Sequence, residues 1–276
     1  MVFKVEISSH SALGLNHNED RAGFKFTDSG LWCWIIDGGS SIDPNYHLYD
    51  GLSSGEWIAE TLSSELALVG DDFADIRKYL ACAIKRTRDL FFRQPSTMNW
   101  PAWALPVGAI TLCHVSNTPG GFLAYGIHLG DCPTFVIDHT AVSSVYERNT
   151  SSIETRTDQS PSARKKQMME GRGRLFRSRK HCVLTLWDEC IDAAKYTETF
   201  CPADSRLLMV TDGVSRIWDT YGMQSKAEGV AQISDAGSFA RIIKKTREFE
   251  RKFYRHREGR LLKYSDDASF LLVSKS

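Results

Sequence analysis

Paired cysteines, long apolar runs and an excess of either charge are all missing from this 276-residue chain. Each absence removes a class of protein. The seven cysteines, Cys33, Cys82, Cys113, Cys132, Cys182, Cys190 and Cys201, are odd in number, scattered, and never in a C-x-x-C pair. That argues against a disulfide framework or a thiolate zinc site. No stretch approaches the roughly 18 apolar residues that span a bilayer, and the opening MVFKVEISSH has no apolar signal core. A cytoplasmic protein with no membrane partner is the expectation. Lys+Arg and Asp+Glu both total 34, giving zero formal net charge, so nothing global recruits nucleic acid and any charge-driven binding is local. What is present is an ordinary globular composition, 42% hydrophobic and 25% charged, in a length that one large β-rich domain can use. A single domain over 1–276 is expected.

Three segments are almost continuously apolar: LWCWII (31–36), LLMV (207–210) and FLLV (270–273). Strands of this kind need cover on both faces. Weaker strand patterns lie at 2–7, 22–26, 107–115, 121–129, 134–137 and 182–186. Two helices are predicted between them. Trp57, Ile58, Leu62 and Leu66 carry the stripe of one, and Phe73, Ile76, Leu80, Ile84, Thr87 and Phe91 that of the other. A third covers about 239–254. Strands, a helix pair, more strands, and a helix before the last strand predict an α+β fold, two packed sheets with helices outside. The Ser-, Gly- and Arg-rich stretch at about 149–181 is the least core-like and reads as a flap insertion.

Aspartates sit at the boundaries of these strands. Asp37 follows WCWII and precedes Gly38 and Gly39, Asp212 follows LLMVT and precedes Gly213, Asp131 follows GIHLG, and Asp266 and Asp267 precede ASFLLV. One D-G dipeptide is usually a turn. Four such boundaries converging on one edge of a sandwich would gather carboxylates that cannot all stay ionised without a counter-charge. With oxygen donors, no H-E-x-x-H and no Cys pair, hard Mg²⁺ or Mn²⁺ is the ion expected, and the neighbouring glycines would let backbone and water approach it.

GLNHNEDRAG (14–23), WIIDGGSS (34–41), LGDCPTFVID (129–138), LLMVTDGVSRIWD (207–219) and YSDDASFLLV (264–273) together resemble, in order, the signature blocks of the type-2C metal-dependent protein phosphatases, most of all bacterial or phage stand-alone members. The resemblance implies a four-layer αββα sandwich of two mainly antiparallel sheets. It also implies a centre of two or three Mn²⁺ or Mg²⁺ ions that activates water for attack on phosphoserine or phosphothreonine. Asp37, Asp212 and Asp266 would be its catalytic carboxylates. Gly38 through its carbonyl, Glu19, Asp20 and Asp131 would join them as metal ligands. A phosphoprotein substrate and an opposing Ser/Thr kinase are the implied partners, with no nucleic acid. Two positions depart from the family: Leu15 stands where many members have a phosphate-gripping arginine, and Gly39 where animal members have histidine. Arg21, Arg172, Arg174 and Arg177 are the candidate replacements for the missing guanidinium. A pseudophosphatase that only binds is the alternative reading.

Overall fold

The computed structural model describes residues 2–46, 48, 51–70, 75–147, 160–178, 181–253 and 265–275. Among the described residues eleven strands form two antiparallel sheets. The first joins β1 (Phe3–His10), β11 (Ala268–Lys275), β10 (Arg206–Val210), β6 (Thr134–Ile137) and β7 (Val142–Tyr146) in that order. The second runs β2 (Asp20–Thr27), β3 (Gly30–Gly38), β4 (Val107–Thr118), β5 (Gly121–Leu129), β9 (Lys195–Pro202), with the short β8 (Leu184–Thr185) paired to β4.

Strand alternation explains why LWCWII is apolar throughout. Leu31, Cys33 and Ile35 face the other sheet, where they meet Leu207, Met209, Leu271 and Val273. Trp32, Trp34 and Ile36 face outward under α1 (Ser54–Leu68) and α2 (Ile76–Phe92), so both sides of the strand are dry. Trp32 stacks on Tyr79 of α2 with ring centroids 4.0 Å apart, and the Tyr79 hydroxyl donates to the Leu66 carbonyl at 2.7 Å, tying the two helices together. Ser53 caps α1 by accepting from the Glu56 N–H at 3.0 Å, as the Ser-x-x-Glu spacing favours. On the far side Leu208, Val210, Phe270 and Leu272 pack under α4 (Asp212–Asp219), α5 (Lys226–Ala231) and α6 (Ala236–Phe253). Three dry layers therefore separate helix, sheet, sheet and helix, the expected αββα order.

Two expectations fall partly outside the described residues. Of the 149–181 stretch, residues 160–178 and 181 are described, and the former hold a helix, α3 (Pro161–Ser178). Composition alone hid it because Ser, Gly and Arg obscure the apolar stripe, although Lys, Arg, Gln, Met and Glu are good helix formers. The second helix begins at Ile76, capped by Asp75, and Phe73 lies outside the described residues. Among the described residues no helix is long and apolar enough to cross a membrane.

Candidate active site

The two sheets bring their aspartates to one edge. Asp20 and Asp37 are direct cross-strand partners at the ends of β2 and β3, Asp131 follows β5, Asp212 opens α4 after β10, and Asp266 precedes β11. Thr211 stitches the sheets at this point. Its hydroxyl donates to Asp20 Oδ2 at 2.8 Å and accepts from the Ser269 N–H at 3.0 Å.

Asp37, Gly38, Asp131, Asp212 and Asp266 line one cleft of about 730 Å³. Burial, and then the charges of Asp212, Asp20, Asp266 and Asp131, push the Asp37 carboxyl well above the ordinary carboxylate range, although one edge of the residue opens to the cleft. Asp20 is raised in the same way, by burial first and Asp267 next, with the Thr211 hydrogen bond pulling the other way.

Two of the glycines are also required by close backbone packing. A Cβ on Gly38 would stand 2.1 Å from the Gly55 carbonyl oxygen, and one on Gly213 would stand 1.7 Å from that of Asp267. Each allows backbone to pass against backbone, and thereby seats the starts of α1 and α4 beside the carboxylates.

Glu19 and Asp267 clamp the β1–β2 turn. The Asp267 carboxylate accepts from the Ala12 and Glu19 N–H groups, both at 2.7 Å. The Glu19 carboxylate accepts from Ser53 Oγ at 2.5 Å and from Ser40 Oγ. Glu19 faces a neighbouring cavity of about 440 Å³, which Leu15 and Asp266 also line. Leu15 is 47% exposed there, so it is no core residue.

Of the four arginines expected near the substrate, one reaches the main cleft. Arg172 lines it from α3 together with Arg164, Lys165, Met168 and Leu175, one face of the helix. Arg172 Nη2 donates to the Ser40 carbonyl at 3.0 Å, while Nη1 is buried with no hydrogen-bond partner. Burial lowers its pKa to about 10, with Glu19 acting the other way, so it stays a cation at neutral pH. Arg174 and Arg177 are exposed and do not line this cleft. Arg21 is engaged elsewhere: it pairs with Glu60 and Glu56 of α1 and donates to the carbonyls of Asn18 and Asp20, both at 2.7 Å.

Sequence reading missed Arg216, whose Nη1 stands 3.3 Å from Asp266 Oδ2, and Arg247, which donates to the Asp266 carbonyl at 2.5 Å. A signal for Arg216 existed, since it lies four residues after Asp212 on one helix. No comparable signal announced Arg247.

No three His, Cys, Asp or Glu side chains among the described residues stand close enough to form a finished ligand set. The donor chemistry nevertheless fits hard divalent ions: five carboxylates and a backbone carbonyl, with Asp37 and Asp20 raised by burial and by neighbouring like charges. Within this set, Asp20 accepts from Thr211 and Asp266 pairs with Arg216. Three of the buried cysteines are poor candidates for an alternative nucleophile. Burial raises Cys113 and Cys201 to about 12 and Cys190 to about 11, well above the range of a reactive thiolate.

Layers, strand order and the carboxylate-bearing edge together define a type-2C-phosphatase-like sandwich. No protein-family model and no curated protein matches the sequence. Among solved structures, the Mycobacterium tuberculosis serine/threonine phosphatase PstP/Ppp is similar with a TM-score of 0.59, at 15% identity over 100% of both chains. The S. agalactiae serine/threonine phosphatase gives 0.58 at 11% identity, again over 100% of both. The PstP catalytic domain in complex with two manganese ions gives 0.56 at 15%, covering 99% of this chain and 97% of that one. At these identities the likeness establishes the fold.

Proposed function

We propose that this chain is a metal-dependent phosphoester hydrolase of the type-2C kind, a single domain over 1–276, cytoplasmic, acting on phosphoserine and phosphothreonine in proteins and opposing a Ser/Thr kinase. The observation that carries this is the lining of one cleft by Asp37, Asp131, Asp212 and Asp266, drawn from both sheets, with Asp20 buried directly across the strand pair from Asp37. Asp37, Asp212 and Asp266, with the Gly38 carbonyl, Asp20 and Asp131, would hold two or three Mn²⁺ or Mg²⁺ ions, and Glu19 would support them from the adjacent cavity. Such ions lower the pKa of water and neutralise charge on a phosphoryl group during in-line displacement. The protein's own contribution is placement. Gly38 and Gly213 set the two helix starts, Thr211 fixes Asp20 across the sheets, and Arg172 offers a buried guanidinium in the wall of the cleft.

Arg172 is our candidate for the phosphate grip absent at Leu15. Its free Nη1 gives a phosphoryl oxygen a charge-assisted donor typically worth about 1.5–3 kcal/mol. Arg172→Met is therefore expected to raise KM about tenfold or more for a phosphoserine peptide and a small aryl phosphate alike, with Mn²⁺ present. Arg174→Ser with Arg177→Ser is expected to change neither. Steady-state kinetics on both substrates checks this, and an unchanged KM in Arg172→Met removes the assignment.

The Arg216–Asp266 ion pair favours a second reading, a catalytically weak binding module. It is distinguished by phosphate release from the phosphoserine peptide. The enzyme releases phosphate with Mn²⁺ and not with chelator, whereas the module releases none in either condition.

A further inference from the structure

We propose that Arg216 is a resident counter-cation of the carboxylate cluster, one that a divalent ion must displace from Asp266 in order to bind. The inference rests on the metal reading above and concerns what limits the ion's affinity.

Asp212 and Arg216 lie four residues apart on α4, so both side chains project from the same face of the helix. That face points into the cleft, which both residues line. The guanidinium places Nη1 3.3 Å from Asp266 Oδ2, with the two side chains only 9% and 11% exposed. A pair so enclosed is screened little by solvent.

Both backbones are pinned. Arg247 holds the Asp266 carbonyl at 2.5 Å and the Ser11 carbonyl at 3.2 Å through Nη2, and is itself fixed by Glu250 and Ser265. Glu250 accepts from the Tyr221 hydroxyl at 2.7 Å, and the Tyr221 N–H closes the end of α4 on the Arg216 carbonyl at 2.7 Å. The ion pair therefore forms from the protein's own scaffold.

A dication taking up the same Asp266 oxygen meets a like charge at contact distance. The guanidinium must move aside, and the cost of that movement is subtracted from the ion's affinity. The same cation faces Asp266, one of the charges that raise Asp37, so part of the cluster is offset in the metal-free protein.

The test is Mn²⁺ binding, measured by isothermal titration of metal-stripped protein, with melting temperature in chelator as a second readout. Arg216→Gln keeps a neutral amide donor on a shorter side chain and loses the charge, whereas Arg216→Lys keeps the charge. Arg216→Gln is expected to bind Mn²⁺ about tenfold or more tightly than wild type and to melt lower in chelator, with a larger rise on adding Mn²⁺. Arg216→Lys is expected to stay near wild type in both. Equal Kd in wild type and Arg216→Gln, or weaker binding in Arg216→Gln, overturns the competition and leaves the metal reading standing. Absence of Mn²⁺ binding in wild type and in both variants removes the metal reading and the proposal with it.

Discussion

Asp37→Asn is expected to cut Mn²⁺-stimulated hydrolysis at least about a hundredfold, since even the outer partners of metal ligands typically cost 10–100-fold when lost. In the same protein it is expected to raise the melting temperature measured in chelator at neutral pH. The two effects have one cause. Burial and four neighbouring aspartates lift the Asp37 carboxyl well above its ordinary value. Its folded pKa is therefore above its unfolded one. The stability tied to its protonated form is fully present below the unfolded value, near pH 4, and is lost as pH rises through the folded value. Metal-free wild type should accordingly weaken from about pH 4 upward, and Asn, which never ionises, should weaken less. Asp212→Asn is expected to lose activity to the same degree. Hydrolysis rates and melting curves in chelator from pH 4 to 8 check both parts. Full activity in either variant removes these residues from the centre, and a lower metal-free melting temperature in Asp37→Asn contradicts the electrostatic account of the cluster.

Asp267→Ala should be among the most damaging single changes to stability, although Asp267 is only the neighbour of a proposed ligand. Its two oxygens accept the Ala12 and Glu19 N–H groups, each at 2.7 Å and buried. Alanine would orphan both donors, at about 1–3 kcal/mol each. The expected loss is about 3 kcal/mol or more, a fall in melting temperature on the order of 5–10 °C for a chain this long. Asp267→Asn, which retains one acceptor oxygen, should lose clearly less. Thermal melts of both variants in chelator decide it, and an alanine variant that melts with wild type shows that water replaces the clamp at no cost.

The layered core was legible because a strand buried on both faces leaves an unmistakable mark. LWCWII, LLMV and FLLV divide their residues between the layer inside the sheets and the layers beneath the helices. The gathering of Asp37, Asp131, Asp212 and Asp266 was legible for a related reason, because residues at strand ends share an edge once the sheets stack. The fittings around them were not. Thr211 reaches Asp20 across 191 positions of sequence, and Asp267 holds a turn 248 and 255 positions away. No local pattern encodes such contacts. Likewise the arginines of α3 look equivalent as a charge run, and only the rotation of the helix gives Arg172 to the cleft while Arg174 and Arg177 face water. Gly38 and Gly213 read as ligand-friendly gaps, and what an added Cβ would meet first, the backbone carbonyls of Gly55 and Asp267, shows only in the fold.

The most direct test of the central claim is hydrolysis of a generic aryl phosphate by wild-type protein in Mn²⁺, in Mg²⁺ and in excess chelator. A carboxylate-held metal centre gives turnover that saturates with either ion or with Mn²⁺ alone, vanishes in chelator, and returns when the ion is restored. Turnover that persists in chelator, or its absence at every Mn²⁺ and Mg²⁺ concentration in protein that melts cooperatively, contradicts it.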